Sequence, residues 1–297
     1  MLKYSAVLSL IVVACGSGAQ QINLPLWPNG APEQTAITGP ERDINSPSDP
    51  LIAGRKIIRL TGITQPSLAV YKPPMEKNTG AAVVVFPGGG YQILAYDLEG
   101  TEVCDWLNSI GMTCVLVKYR VPIAAHYPES TVDLEDAQQA MRIARSHAAE
   151  WGIDRHRIGA LGFSAGGHLV AVLSNHWDPV AAVGVAGIPI NARPDFALVL
   201  YPGYLTASPL TKLSAGIDPS ANTPPTFLLQ AEDDPVHEEN ALLYFQALKQ
   251  AKAPAELHIF AEGGHGYGLR PTDLPITHWP ALAETWFHTI HVLGAPN

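Results

Sequence analysis

Gly162-Phe163-Ser164-Ala165-Gly166 sets a serine between glycines two positions away on either side, directly after an apolar run and directly before a helix-forming segment. A strand that turns sharply into a helix around a serine lifts the hydroxyl clear of the backbone, and the flanking glycines leave room that a Cβ would fill. Ser164 is therefore the candidate nucleophile, and the helix N-terminus behind it favours the negative charge that develops on attack. A capping serine in a glycine-rich helix start produces the same five residues by chance, so the reading depends on partners. An unassisted hydroxyl is a poor nucleophile and needs a base within hydrogen-bond reach, itself oriented by an acid.

Eleven histidines are present, and one sits in a glycine-rich loop after a late apolar run, Gly263-Gly264-His265-Gly266-Tyr267. His265 is the candidate base. His168, four residues beyond Ser164, is expected to pack or hydrogen-bond locally on its own helix. For the acid, Glu232-Asp233-Asp234-Pro235 offers three carboxylates. A residue before proline is held away from the α region, which leaves Asp234 extended and able to reach an imidazole. The same residue would serve as the N-cap of a helix with Pro235 at its first position, and the two roles are compatible. Asp234 is preferred over Asp233. The side-chain-free backbone at Gly88-Gly89-Gly90 lets peptide N–H groups approach a tetrahedral intermediate, with Gly89, Gly90 and the N–H of Ala165 as the candidate oxyanion donors. Losing one such donor costs roughly 3 to 4 kcal/mol of transition-state stabilisation.

These residues must be positioned by a scaffold, and its outline is legible as alternation. Residues 23–50 are rich in Pro, Asn and Ser and read as an irregular arm. Two strand-like runs follow at 56–60 and 67–72, expected to pair antiparallel with each other. The pattern then changes to short apolar strands at 81–86, 113–119, 157–162, 196–201, 226–230 and 256–260. Between and after them come helical patterns at 101–110, 132–151, after Ser164, at 236–251 and at 279–292. Such alternation predicts an α/β fold with a mostly parallel sheet and crossover helices on both faces. Residues 202–225, long for a plain connection, are expected to cover the site as a small cap.

Composition bounds the rest. With 297 residues, 47% of them hydrophobic and 15% charged, the chain can bury a sizeable core, and residues 20–297 are expected to form one catalytic domain. The formal net charge of −9, with no cluster of Lys and Arg, argues against nucleic acid as a partner. No spacing of the H-E-x-x-H kind argues for zinc. Lys3, an apolar run and small residues predict a signal peptide over residues 1–19, too short for an integral membrane span. Cleavage after Ala19 gives an exported protein, periplasmic or extracellular, and lipidation at Cys15 is the second exit. Cys104 and Cys114 then remain as a pair, either bridged or buried as two small apolar thiols.

Taken together, Pro87-Gly88-Gly89-Gly90-Tyr91, Gly162-Phe163-Ser164-Ala165-Gly166-Gly167-His168-Leu169 and Gly263-Gly264-His265-Gly266-Tyr267 resemble the carboxylesterase branch of the α/β-hydrolases. The likeness is strongest to bacterial secreted acetyl-xylan-esterase-like (xylanase B-like) proteins, which are related to hormone-sensitive-lipase-like esterases. It runs from about Arg55 to the C-terminus and takes in Glu99-Gly100, Lys118-Tyr119-Arg120 and Trp151-Gly152-Ile153-Asp154. Pro87 departs from the pattern, standing where many relatives carry His. The resemblance implies an α/β-hydrolase fold and ester hydrolysis through an acyl-enzyme on Ser164, with neither metal nor organic cofactor. It points to short acyl groups on plant carbohydrate such as acetylated xylan. Tyr91, Tyr96, Tyr204 and Tyr267 are the candidate substrate-binding rings, since flat amphipathic side chains suit sugar faces, although each could instead pack the cap. The competing readings are a peptidase like the prolyl oligopeptidases and an inactive binding module on a hydrolase scaffold.

Overall fold

Ala82–Phe86 is apolar at every position because both faces of this strand are covered, as parallel central strands require. In the computed structural model, which describes residues 22–32, 37, 39–177 and 190–294, all five residues are buried. The expected leader at residues 1–19, with Cys15, lies outside the described residues. Alternate side chains of a strand point to opposite faces. Thus Ala82, Val84 and Phe86 enter one hydrophobic layer, while Val83 and Val85 enter the other. Fully burying a Val side chain is worth roughly 1.5 to 3 kcal/mol, so this one strand commits the sheet to the molecule's centre.

The main sheet has eight strands: β1 (Ile22–Pro25), β2 (Ser67–Tyr71), β3 (Ala82–Phe86), β4 (Thr113–Lys118), β5 (Ile158–Phe163), β6 (Ala197–Leu200), β7 (Thr226–Ala231) and β8 (Ala255–Phe260). Their spatial order is β1-β2-β4-β3-β5-β6-β7-β8. β2 runs antiparallel to both β1 and β4, and the other pairs are parallel. The helices are α1 (Glu102–Ser109), α2 (Val132–Ser146), α3 (Ala148–Trp151), α4 (Ala165–Asn175), α5 (Glu239–Gln250) and α6 (Trp279–Thr289). Residues of α2, α4 and α5 fill one layer of the core, and those of α1 and α6 fill the other. This is an α/β-hydrolase arrangement, and it places the carboxyl ends of the adjacent strands β3 and β5 side by side. That is the switch point where open α/β sheets take ligands.

Four local expectations are corrected. Residues 56–60 do not pair with 67–72. Arg59–Thr61 instead joins a separate three-stranded sheet with Arg42–Asp43 and Leu94–Ala95, because Gly62 turns the chain at φ +74 between the two runs. The arm is not wholly irregular, since β1 adds an edge strand to β2 and Trp27 Nε1 donates to Asp136 on α2 at 2.7 Å. The expected helix at 132–151 is interrupted at His147, where the Ser146 hydroxyl bonds back to the Ile143 carbonyl at 2.9 Å and competes for the helical acceptor. α5 begins at Glu239 rather than at residue 236, for a reason given below. Cys104 in α1 and Cys114 in β4 form a buried disulfide, with Cα atoms 5.1 Å apart. Among the described residues no helix is long and apolar enough to cross a membrane.

Candidate active site

Ser164 stands between β5 and α4 at φ +52, ψ −116, a region that costs a non-glycine residue strain and persists only where the surroundings enforce it. The enforcement is visible. A Cβ on Gly162 would lie 2.0 Å from the Gly166 carbonyl oxygen, and one on Gly166 would lie 2.0 Å from that of Phe86. The Ser164 N–H is held by the Leu200 carbonyl of β6 at 3.0 Å. The two glycines of the motif are therefore required by close approach.

His265 is carried by the loop after β8, with its Nε2 2.8 Å from Ser164 Oγ and its Nδ1 2.8 Å from Asp234 Oδ2. Asp234 is buried and its other contacts hold it still: Gln230 donates to Oδ2 at 3.0 Å and the Val236 N–H to Oδ1 at 2.7 Å. The last bond closes a tight turn that places His237 at φ +72. That conformation ends any helical path, so α5 starts two residues later and Asp234 is not its N-cap. Asp233 takes the N–H groups of Gly263 and Gly264 at 2.9 and 2.7 Å. The two carboxylates weighed for the acid thus hold the same loop, one through its backbone and the other through its imidazole.

The glycine loop after β3 runs past the nucleophile. A Cβ at Gly88 would meet Phe163 O at 2.5 Å, Glu99 Oε2 at 2.8 Å and Ser164 Cβ at 2.9 Å. Gly88 N–H donates to Glu99 Oε2 at 2.6 Å, which leaves the N–H groups of Gly89 and Gly90 with no protein acceptor among the described residues. Both glycines have positive φ, +135 and +60. Ala165 opens α4, and a first helical N–H has no intrahelical acceptor. Pro87, the departure noted in the sequence, is held through its carbonyl by the Tyr119 hydroxyl at 2.6 Å.

A cavity of about 580 Å³ opens here. Its lining includes Gly89, Gly90, Ser164 and His265 on the polar side and Ile57, Ile93, Leu98 and Val236 on the apolar side. Of the four tyrosines expected to meet substrate, Tyr204 lines it and is 42% exposed. The other three are placed elsewhere. Tyr91 is buried with its Oη 2.7 Å from His168 Nδ1, so His168 bonds across to the glycine loop rather than along its own helix. Burial pushes the His168 imidazole down to about 3. Tyr96 packs toward Tyr71 in the opposite core layer. Tyr267 is buried edge-on against Tyr201, with ring centroids 4.6 Å apart. Within residues 202–225, Thr206–Ala207 and Lys212–Leu213 form a hairpin, and Gly203 and Tyr204 line the cavity.

Sequence reasoning missed the parts that support the loops. Glu99, known only as part of a motif, lies in the π-helical turn Asp97–Thr101 and accepts from Tyr201 Oη at 2.8 Å as well as from Gly88. Tyr201 accepts in turn from the Gly268 N–H at 3.2 Å. An acidic residue next to a glycine, between an apolar strand and an amphipathic helix, was the available signal.

Known proteins resemble this chain in sequence and fold. A family model described as BD-FAE matches residues 68–178, and that of the prolyl oligopeptidase family matches residues 125–288. The crystal structure of an acetyl ester-xyloside bifunctional hydrolase from Caldicellulosiruptor lactoaceticus superposes with a TM-score of 0.71 at 32% identity, covering 92% of this chain and 97% of that one. An acetylxylan esterase of Xylanibacter ruminicola is 32% identical over 219 residues, 65% of this chain and 42% of that protein. Endo-1,4-beta-xylanase B of Butyrivibrio fibrisolvens is 30% identical over 62% of this chain and 32% of its own length. The chain therefore spans less than half the length of these two curated relatives. On these matches it belongs to the α/β-hydrolase superfamily, a member of the prolyl oligopeptidase family through residues 125–288 and of the acetylxylan-esterase-like carboxylesterases along most of its length.

Proposed function

We propose that this protein is a serine carboxylesterase that removes short acyl groups, acetyl above all, from plant carbohydrate such as acetylated xylan or its oligosaccharides. The observation that carries the reading is the relay of two 2.8 Å contacts from Ser164 through His265 to Asp234, beside a glycine loop with free N–H groups. Ser164 Oγ attacks the ester carbonyl while His265 Nε2 takes its proton, and Asp234 holds the imidazole in the tautomer that can accept it. The N–H groups of Gly89, Gly90 and Ala165 receive the oxyanion. His265 returns the proton to the departing alcohol, and water resolves the acyl-enzyme by the same steps in reverse order. Tyr204 offers a ring face to the sugar at the cavity mouth. The substrate class draws support from the names of the acetylxylan esterase and the acetyl ester-xyloside hydrolase to which the chain is similar. Export through a leader at residues 1–19, with or without lipidation at Cys15, suits a polymeric substrate outside the cell.

Acetate release from acetylated xylan, together with rates on p-nitrophenyl esters of increasing chain length, tests this. Acetate release and a steep fall from acetyl to octanoyl are expected. Preference for long chains, or good aryl-ester turnover without acetate release, would sink the carbohydrate assignment. Ser164→Ala should leave at most about a thousandth of the rate. A peptidase is the second reading, favoured by the match over residues 125–288, and it would show as preference for an amide over the matching ester.

A further inference from the structure

We infer that Glu99 is a positioning residue whose carboxylate acts on both halves of the reaction, holding the oxyanion loop through Gly88 and the loop of the base through Tyr201 and Gly268. The inference rests on the serine-esterase reading above. Glu99 is 3% exposed, lines the same cavity as Ser164 and His265, and has each oxygen engaged by one donor, the Gly88 N–H and the Tyr201 hydroxyl. Both oxygens accept, and these two bonds favour the ionised form that burial opposes. The point where a Gly88 Cβ would stand is contacted by both Glu99 Oε2 and Ser164 Cβ, so the carboxylate borders the nucleophile without replacing Asp234.

The carboxylate is built in at some cost, because burial raises its proton affinity, while the bonds from Tyr201 and Gly88 and the charge of His265 lower it. The groups that face it are the phenols of Tyr119, Tyr201 and Tyr267, and no cation of Lys or Arg stands among its hydrogen-bond partners. On its own element, Asp97 is taken by Arg270, as is Glu102 on α1. Facing His265 are Asp234, Ser164 and the ring of Tyr201, centroids 5.1 Å apart, with Asp233 on the backbone of the same loop. Tyr201 completes a path from Glu99 to the base's own loop through Gly268.

Glu99→Gln keeps the shape but offers one acceptor oxygen and an NH2 donor, so either the Gly88 N–H or the Tyr201 hydroxyl loses its acceptor. Its plateau turnover of p-nitrophenyl acetate should fall about tenfold or more. KM should change little, since the loosened donors meet charge that develops only in the transition state. Glu99→Asp keeps both acceptor oxygens one methylene short, so its turnover should fall less than that of Glu99→Gln. Folding is checked by circular dichroism and by stoichiometric labelling of Ser164 with a fluorophosphonate. Wild-type kcat in Glu99→Gln, or a loss carried by KM alone, overturns the inference. If Ser164→Ala retains turnover, the esterase reading fails instead, so the two failures are distinguishable.

Discussion

Tyr91 Oη lies 2.7 Å from His168 Nδ1, a buried contact that ties the residue following Gly90 to the first turns of α4. The rings of Tyr91, His126, His168 and Tyr204 form one cluster, with His126 stacked on Tyr91 at 5.2 Å and against Tyr204 at 4.9 Å. A ring expected to touch sugar therefore anchors the loop that is to bind the oxyanion. Tyr91→Phe should cost about 1 to 3 kcal/mol of stability, because it leaves a buried imidazole nitrogen unpaired. If the tether also sets the oxyanion donors, kcat falls several-fold with KM little changed. Urea titration and steady-state kinetics on the same preparation measure both.

Asp234→Asn should depress turnover steeply, on the order of 10⁴-fold, by presenting an amide to the imidazole and disturbing its tautomer. Asp233→Asn should be mild, because the side-chain carbonyl still accepts the N–H groups of Gly263 and Gly264. Asp233→Ala leaves both donors unpaired and should lower stability and rate together. The reverse ranking of the two Asn variants would move the acid to Asp233.

The Cys104–Cys114 disulfide closes a short loop, with a sequence separation of 10. Replacing both cysteines by Ala should cost about 3 kcal/mol through loop-closure entropy alone. Because the bridge sits in the core layer beneath α1, away from the cavity, kcat should hardly change at a temperature where both forms are folded. A melting curve with and without reductant is the direct measurement.

Stability against pH should show two opposed groups. Burial pushes the Asp133 carboxyl up to about 6, so the folded state keeps a proton that the unfolded chain has released, and this contribution is lost as pH rises from about 4 through 6. His168, held down to about 3 by burial, does the opposite: it stays neutral while the unfolded chain takes up a proton, so stability falls as pH drops below about 6.5. Between about pH 4 and 6 the two slopes offset. Asp133→Asn removes one of them, and its stability should therefore fall more steeply than that of the wild type on going from pH 6.5 to 4.5. Chemical denaturation at the two pH values checks the sign.

Periodicity and local stereochemistry are properties of neighbouring residues, which is why so much was legible before any coordinates. The apolar strands around residues 82–86 and 158–163, the strand-to-helix turn at Ser164, the glycine loops at 88–90 and 263–266, and the choice of Asp234 by way of Pro235 all follow from short stretches of chain. Tertiary structure decided what depends on pairs distant in sequence. The arm's strands found partners in β2 and in Arg59–Thr61 because edge pairing is set by what stands alongside. Asp233 became a prop because its backbone partners lie thirty residues on. Tyr91 and Tyr267 turned inward because a phenol can satisfy its ring by packing as readily as by binding, and only the surrounding shape chooses. Glu99 carried only a faint local mark, an acidic residue next to a glycine. Its meaning arises where a π-helical turn brings one buried carboxylate against the ends of β3 and β6, a juxtaposition made by strand order and invisible to spacing.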